Sequence, residues 1–175
     1  MAAGEAEASR GGALTLLLDT NVILDYFIRR NERNAATMEL FGLADAREDV
    51  VLYVASLSLK DAYYLLERFL KREAATQGRV SEGVAAAARE AAWGCVKQLL
   101  GHVLVVSVGW DEVLEACALR RVHDDFEDDL VLAAAMKADA DCIVTNDARF
   151  ERHIPQVSLN VEQALELVKQ RTGAL

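Results

Sequence analysis

Carboxylates recur in this sequence where apolar runs end, and that placement gives them a chemistry. Asp19 and Asn21 close the leucine run of "LLLDTNVILD", Asp61 lies in "SLKDAYYLL", and Asp125, Asp128 and Asp129 belong to "HDDFEDDL". Thr145 and Asp147 end "CIVTND". A carboxylate set where a buried segment runs out costs stability unless a partner neutralises it. Clustered carboxylates raise one another's pKa values until a cation arrives. An all-oxygen donor set without histidine or thiolate favours Mg²⁺ or Mn²⁺ over zinc. A hard cation held this way stabilises charge on a phosphoryl oxygen and activates water. The chemistry these residues suit is metal-assisted hydrolysis of a phosphodiester.

Each position also has a plainer explanation. Asp and Asn are common turn residues, which would account for Asp19, Asn21 and Asp147 singly. The run from Asp125 to Asp129 suits a helix N-terminus through capping and the macrodipole. Ser58-x-x-Asp61 has the form of a capping box, so capping and catalysis weigh equally for Asp61. The combination at one edge of one sheet is what favours a site.

That edge has to be built by the surrounding elements. "ALTLLL", "VVLYVAS", "HVLVVSV" and "CIVT" read as buried strands, with "QVSLN" as a candidate fifth. Helical stretches separate them: Val22–Ile28, "AATMELFGLADAR", "SLKDAYYLLERFLKR", "VAAAAREAAWGCVKQLL" closed by Gly101, "WDEVLEACALRR", "FEDDLVLAAAMKAD" and "VEQALELVKQR". The helix after Asp125 is apolar nearly all round and is expected to be central. Strands alternating with helices predict an α/β fold, with a central, mostly parallel sheet flanked by helices. In such sheets sites form beyond the carboxyl ends of the strands, where Asp19 and Asp147 fall.

The chain has 175 residues, is 53% hydrophobic and contains a single proline, which fits one globular domain. Residues 1–13 read as a flexible leader and 14–175 as the domain. No apolar run is long enough to span a bilayer and no export signal is recognisable, so a cytoplasmic protein is expected. Cys95, Cys117 and Cys142 are expected to be buried, reduced thiols. The net charge is −9, from 28 acidic and 19 basic residues, which argues against broad attraction to nucleic acid and suits a basic protein partner.

Taken in order, "LLLDTNVILD", "SLSLKDAYYLL", "DDFEDDLVLAAAMKADADCIVTND" and "VSLN" resemble a PIN domain over roughly residues 14 to 168. The resemblance implies a PIN-like fold and a metal-dependent ribonuclease. It makes Asp19 the first acid, with Asn21 organising its loop and Thr145 supporting. The second position, usually Glu, holds Asp61. "DFEDDL" resembles the "DFEDAL" of one PIN branch and selects Asp128 as the third, while a one-residue slide selects Asp129, and Asp125 supports. Asp147 is the fourth. On this resemblance Asp19 and Asp128 hold Mg²⁺ (or Mn²⁺), Asp147 completes the shell, and Asp61 orients water or a ligand. Small prokaryotic PIN proteins resemble VapC-like toxins, which implies an RNA substrate, a cognate antitoxin and a homodimer.

Arg149 and Arg152 follow Asp147 and suit phosphate contacts at the groove rim. Arg29, Arg30, Arg33, Lys71 and Arg72 read as solvated charge. Tyr63 or Tyr64 could stack on bases, and Trp93 and Trp110 are assigned to packing. A haloacid-dehalogenase phosphatase would need D-x-D-x-T, whereas this chain has Asp19-Thr20-Asn21. The rival of a different class is a PIN fold kept as a non-catalytic protein-binding or RNA-binding scaffold.

Overall fold

The leucines of β1 (Leu14–Leu18) point alternately to the two sides of a sheet, and both sides are covered. Leu16 and Leu18 enter one core with Val22, Phe41, Leu52 and Val144, while Leu17 enters another with Val106, Leu132 and Ile143. Three consecutive leucines buried to both sides, Leu16 to Leu18, require a strand inside a sheet with helices on each face. The structure, a computed structural model, describes residues 12–29, 32–75, 78–121, 125–147, 150 and 158–172. Residues 1–11 of the expected leader therefore lie outside the described residues.

After β1 come α1 (Thr20–Phe27), α2 (Arg33–Asp45), β2 (Val50–Ala55), α3 (Ser56–Ala74) and α4 (Glu82–Leu99). They are followed by β3 (Leu104–Val106), α5 (Trp110–Leu119), α6 (Phe126–Lys137), β4 (Cys142–Val144), β5 (Ser158–Leu159) and α7 (Val161–Thr172). The sheet order is β3-β2-β1-β4-β5, and every described pairing is parallel. The α/β reading with helices on both faces is borne out. Side chains of α1, α2 and α7 fill one core and those of α6 the other. α3 and α4 pack as a pair against α1 through Leu24, Ile28, Leu66 and Ala92. As the sequence suggested, α6 is central, with Val131 to Ala135 all buried.

The turn from α6 into β4 sets the register beside β1. Asp139 adopts φ 48°, and its N–H reaches Met136 O while Ala140 N–H reaches Ala135 O at 3.0 Å. This is a Schellman closure with Asp where glycine is usual. Asp141 then accepts from Thr15 N at 2.8 Å and Thr15 Oγ1 at 2.9 Å, holding the start of β1.

Some expectations are corrected. α3 begins at Ser56, before the serine of the apparent capping box, and its N-cap Ala55 has no side-chain acceptor. Asp61 therefore lies beyond the first turn and does not cap the helix. Trp93 and Trp110 are 53% and 74% exposed, on the outer faces of α4 and α5, although Trp93 still contacts the Tyr63 ring. All three cysteines are free, but only Cys142 is buried; Cys95 is half-buried and Cys117 exposed. Among the described residues no helix is long and apolar enough to cross a membrane.

Candidate functional site

Strand order reverses at the centre of the sheet: β2 lies to one side of β1 and β4 to the other. The carboxyl ends of β1 and β4 open a crevice at such a switch point. Leu18 pairs with Val144, so the residues that follow, Asp19 and Thr145, stand side by side. Asp19 N donates to Val144 O at 2.9 Å, and Thr145 N donates to Leu159 O at 2.9 Å, fixing both backbones.

Asp19 is the N-cap of α1, accepting from Thr20 N at 2.6 Å. Its other oxygen accepts from Thr145 Oγ1 at 2.8 Å and from Asn21 Nδ2. Asn21 Oδ1 in turn accepts from Asn146 N at 3.0 Å, and Asp147 N donates to Thr145 Oγ1 at 3.1 Å. Asn146 joins three segments: Nδ2 donates to the buried Asp25 at 2.9 Å, and Oδ1 accepts from Val161 N at 3.3 Å. The loop after β4 is thus clamped to α1 and to the start of α7. Burial pushes the Asp19 carboxyl above its ordinary pKa, and the Asp147 carboxylate adds to this. Hydrogen bonds from Thr145, the Thr20 backbone and Asn21 oppose the rise.

The third wall comes from α3 and α6. Asp125 caps α6, its Oδ1 accepting from Glu127 N at 3.1 Å and Asp128 N at 3.4 Å. The capping explanation of this acid holds in the structure and leaves room for a second task. Glu127, which sequence reasoning passed over, has its pKa raised by desolvation and then by the Asp61, Asp19 and Asp125 carboxylates, with Lys60 opposing. Its carboxyl therefore sits among the acids of the site. Lys60, also missed, lies against Asp61 with Nζ 2.7 Å from Oδ1. The only signal for Glu127 was its place inside the acidic run.

Asp128 and Asp129 separate in space. Asp129 is buried and, with Asp125, Ala116, Arg120 and Phe126, lines a cavity of about 410 Å³ in the seam between α5 and α6. Asp128 continues the α6 face of Val131, Leu132 and Ala135, whose side chains pack on the sheet. The structure thus gathers Asp19, Asn21, Thr145 and Asp147 at one crevice, with Asp61 and Glu127 near enough to interact electrostatically, while Asp125 caps α6 and borders the α5–α6 cavity. Arg149 and Arg152 lie outside the described residues.

The donors around this crevice are carboxylate and amide oxygens, a set that suits Mg²⁺ or Mn²⁺. Among the described residues, no three His, Cys, Asp or Glu side chains converge into a ready-made cage. Mg²⁺ commonly keeps several waters and binds through one or two carboxylates, and Asp19 with Asp147 meets that requirement. Burial raises both Asp19 and Glu127, and neighbouring carboxylates add to it; a cation would relieve the second of these causes.

A PIN domain family model matches residues 15–149, from β1 to the loop after β4. The chain belongs to the PIN domain family. Among solved structures, this PIN domain is similar to VapBC2 of Rickettsia felis, solved with a promoter DNA fragment, at 16% identity and TM-score 0.59. That match covers 84% of this chain and 98% of the other. It is also similar to VapC20 of Mycobacterium tuberculosis, a toxin that cleaves the sarcin–ricin loop, at 19% identity and TM-score 0.57, covering 83% and 98%. A toxin–antitoxin complex from Klebsiella pneumoniae matches at 14% identity and TM-score 0.56, covering 83% and 97%. At these identities the likeness concerns the fold. Among curated proteins there is no sequence match.

Proposed function

We propose that this PIN domain is a metal-dependent ribonuclease that hydrolyses RNA phosphodiester bonds as the toxin of a type II toxin–antitoxin pair. The observation that carries the reading is the junction of Asp19 and Thr145 across the β1–β4 crevice, with Asp147 next to it. Asp19, Asp128 and Asp147 would hold Mg²⁺ or Mn²⁺, with Asp125 supporting through the N-terminus of α6. Such an ion supplies Lewis acidity toward a phosphoryl oxygen.

The chain's own residues do the positioning. Thr145 and Asn21 fix the Asp19 carboxylate by donating to it, so it meets its ligand in one orientation. Asn146 keeps the Asp147 loop in place through Asp25 and Val161. Asp61 from α3 and Glu127 from α6 would orient a water for in-line attack and accept its proton. With the 3′-oxygen as the leaving group, as the family resemblance implies, the products would carry a 5′-phosphate and a 3′-hydroxyl. Partner assignments rest on the toxin–antitoxin likenesses: a cognate antitoxin with a basic segment suits an acidic crevice, and the exposed Trp110 and Leu114 on α5 offer apolar surface to a second copy in a homodimer. The cytoplasm is the place of action on this reading.

The reading is tested by incubating purified protein with labelled structured and unstructured RNAs in Mg²⁺, Mn²⁺ or EDTA and analysing product ends. Metal-dependent cleavage leaving 5′-phosphates is expected, whereas cleavage unaffected by EDTA would refute it.

A further inference from the structure

A second cleft lies between α1 and α3, the helices that begin at the crevice. On α1, Asn21 and Leu24 share one face at helical spacing, with Ile28 just beyond the helix end, and on α3 so do Asp61, Leu65, Arg68 and Arg72. Both faces lead to one cleft of about 640 Å³, floored by Leu24, Ile28, Leu65 and Phe69. Arg68, Lys71 and Arg72 line the same cleft. By the helical rise, Arg68 lies about 10 Å and Arg72 about 16 Å along α3 from Asp61. One end of the groove is acidic and the other cationic.

We propose that this α1–α3 groove is a track for the single-stranded RNA flanking the cleaved bond, with Arg68, Lys71 and Arg72 binding its phosphates. The inference rests on the ribonuclease reading for its occupant and adds residues that this reading does not assign. Three cations around one cleft stand out on a chain of net charge −9, and they supply a local attraction that the overall charge withholds. Arg68 and Arg72 are exposed. The Arg72 guanidinium lies 5.6 Å from the centre of the Phe69 ring and keeps only a long 3.8 Å approach to Glu73, while Lys71 pairs with Glu67 on its own helix. Apolar floor beside cationic rim is the arrangement that binds single strands, with bases or sugars on the floor and phosphates on the rim. An acidic peptide would suit the cations too, and either polyanion would meet Asp61 and Glu127 at the other end. RNA is favoured because, on the ribonuclease reading, a cation held there would draw a phosphate.

The test measures binding without turnover. Anisotropy of a labelled unstructured RNA is recorded against salt for the full chain carrying Asp19→Asn, with and without Arg68→Gln/Arg72→Gln. Arg89→Gln on α4 is the control. Losing two phosphate contacts should lower the slope of log K against log salt by about 1.4 and weaken low-salt binding roughly tenfold or more. A slope and affinity matching the parent would overturn the track, as would displacement of RNA by polyglutamate as effectively as by unlabelled RNA. Cleavage by the parent chain, with Asp19 and both arginines intact, separates the two readings. A lowered slope in a chain that never cuts RNA keeps the track and removes the nuclease; cutting with an unchanged slope removes the track alone.

Discussion

Thr145 Oγ1 donates to Asp19 Oδ2 across 2.8 Å, tying the residue after β4 to the residue after β1. The two positions are 126 apart in sequence, yet parallel pairing of Leu18 with Val144 makes them neighbours. The bond acts on the charged form of a carboxyl that burial otherwise disfavours.

Thr145→Val keeps the side-chain shape and removes that donor. A hydrogen bond to a charged group contributes about 1.5–3 kcal/mol, so cleavage is expected to fall roughly ten- to a hundredfold. Without the bond the Asp19 pKa rises further, and the acid limb of the pH–rate profile moves to higher pH. An unshifted limb in Thr145→Val would show that the bond does not set the charge on Asp19.

The pH dependence of stability follows from the same carboxyl. Asp19 and Glu127 both have raised pKa values when folded, so the folded chain binds protons more tightly than the unfolded one. Their contribution is favourable at low pH and is lost as pH rises from about 4 through the raised values. In EDTA, thermal stability should decline across this window less steeply for Asp19→Asn than for the parent. Mg²⁺ should raise the parent's melting temperature near neutrality by mass action and leave the variant's nearly unchanged. Equal Mg²⁺ responses in the two chains would place the ion elsewhere.

Asn146 makes one link to Asp25 and another to the N-terminus of α7. Asn146→Ala removes both side-chain bonds in a partly buried setting, which costs about 1–3 kcal/mol. Urea unfolding should show a lowered midpoint with an unchanged m-value, and a wild-type midpoint would mean that the loop is held by other contacts.

Asp139 is in the left-handed region at the end of α6, a conformation costing a non-glycine residue roughly 1–2 kcal/mol. Asp139→Gly should raise stability by up to about 1 kcal/mol, seen as a melting temperature roughly 2–4 °C higher. A fall would mean that the greater freedom of glycine in the unfolded chain outweighs the relief.

The strand ends were the legible part of the site. Leu16, Leu17 and Leu18 form a run apolar on both faces, which only a central strand satisfies, and the first polar residue beyond it is Asp19. The same logic placed Thr145 and Asp147 after β4. Helical residues were harder to assign, because the direction of a side chain depends on where its helix begins. Starting α3 at Ser56 carries Asp61 past the first turn and removes the apparent capping box. With Asp125 as the N-cap, α6 presents Glu127 to Asp61 and Asp19 and turns Asp129 into the α5 seam. Composition could not separate those neighbours. Trp93 and Trp110 were misread because hydrophobicity says nothing about whether an outer helix face is covered within the chain.

Cleavage of a labelled RNA by parent and Asp19→Asn proteins side by side, in Mg²⁺ and in EDTA, tests the central claim most directly. The parent should cut in Mg²⁺ alone, and the variant, shown by circular dichroism to be folded, should be slower by at least roughly a hundredfold. Equal cutting by both chains would contradict the assignment of Asp19. No cutting by a folded, antitoxin-free parent on any RNA would contradict the enzyme itself and leave a binding scaffold.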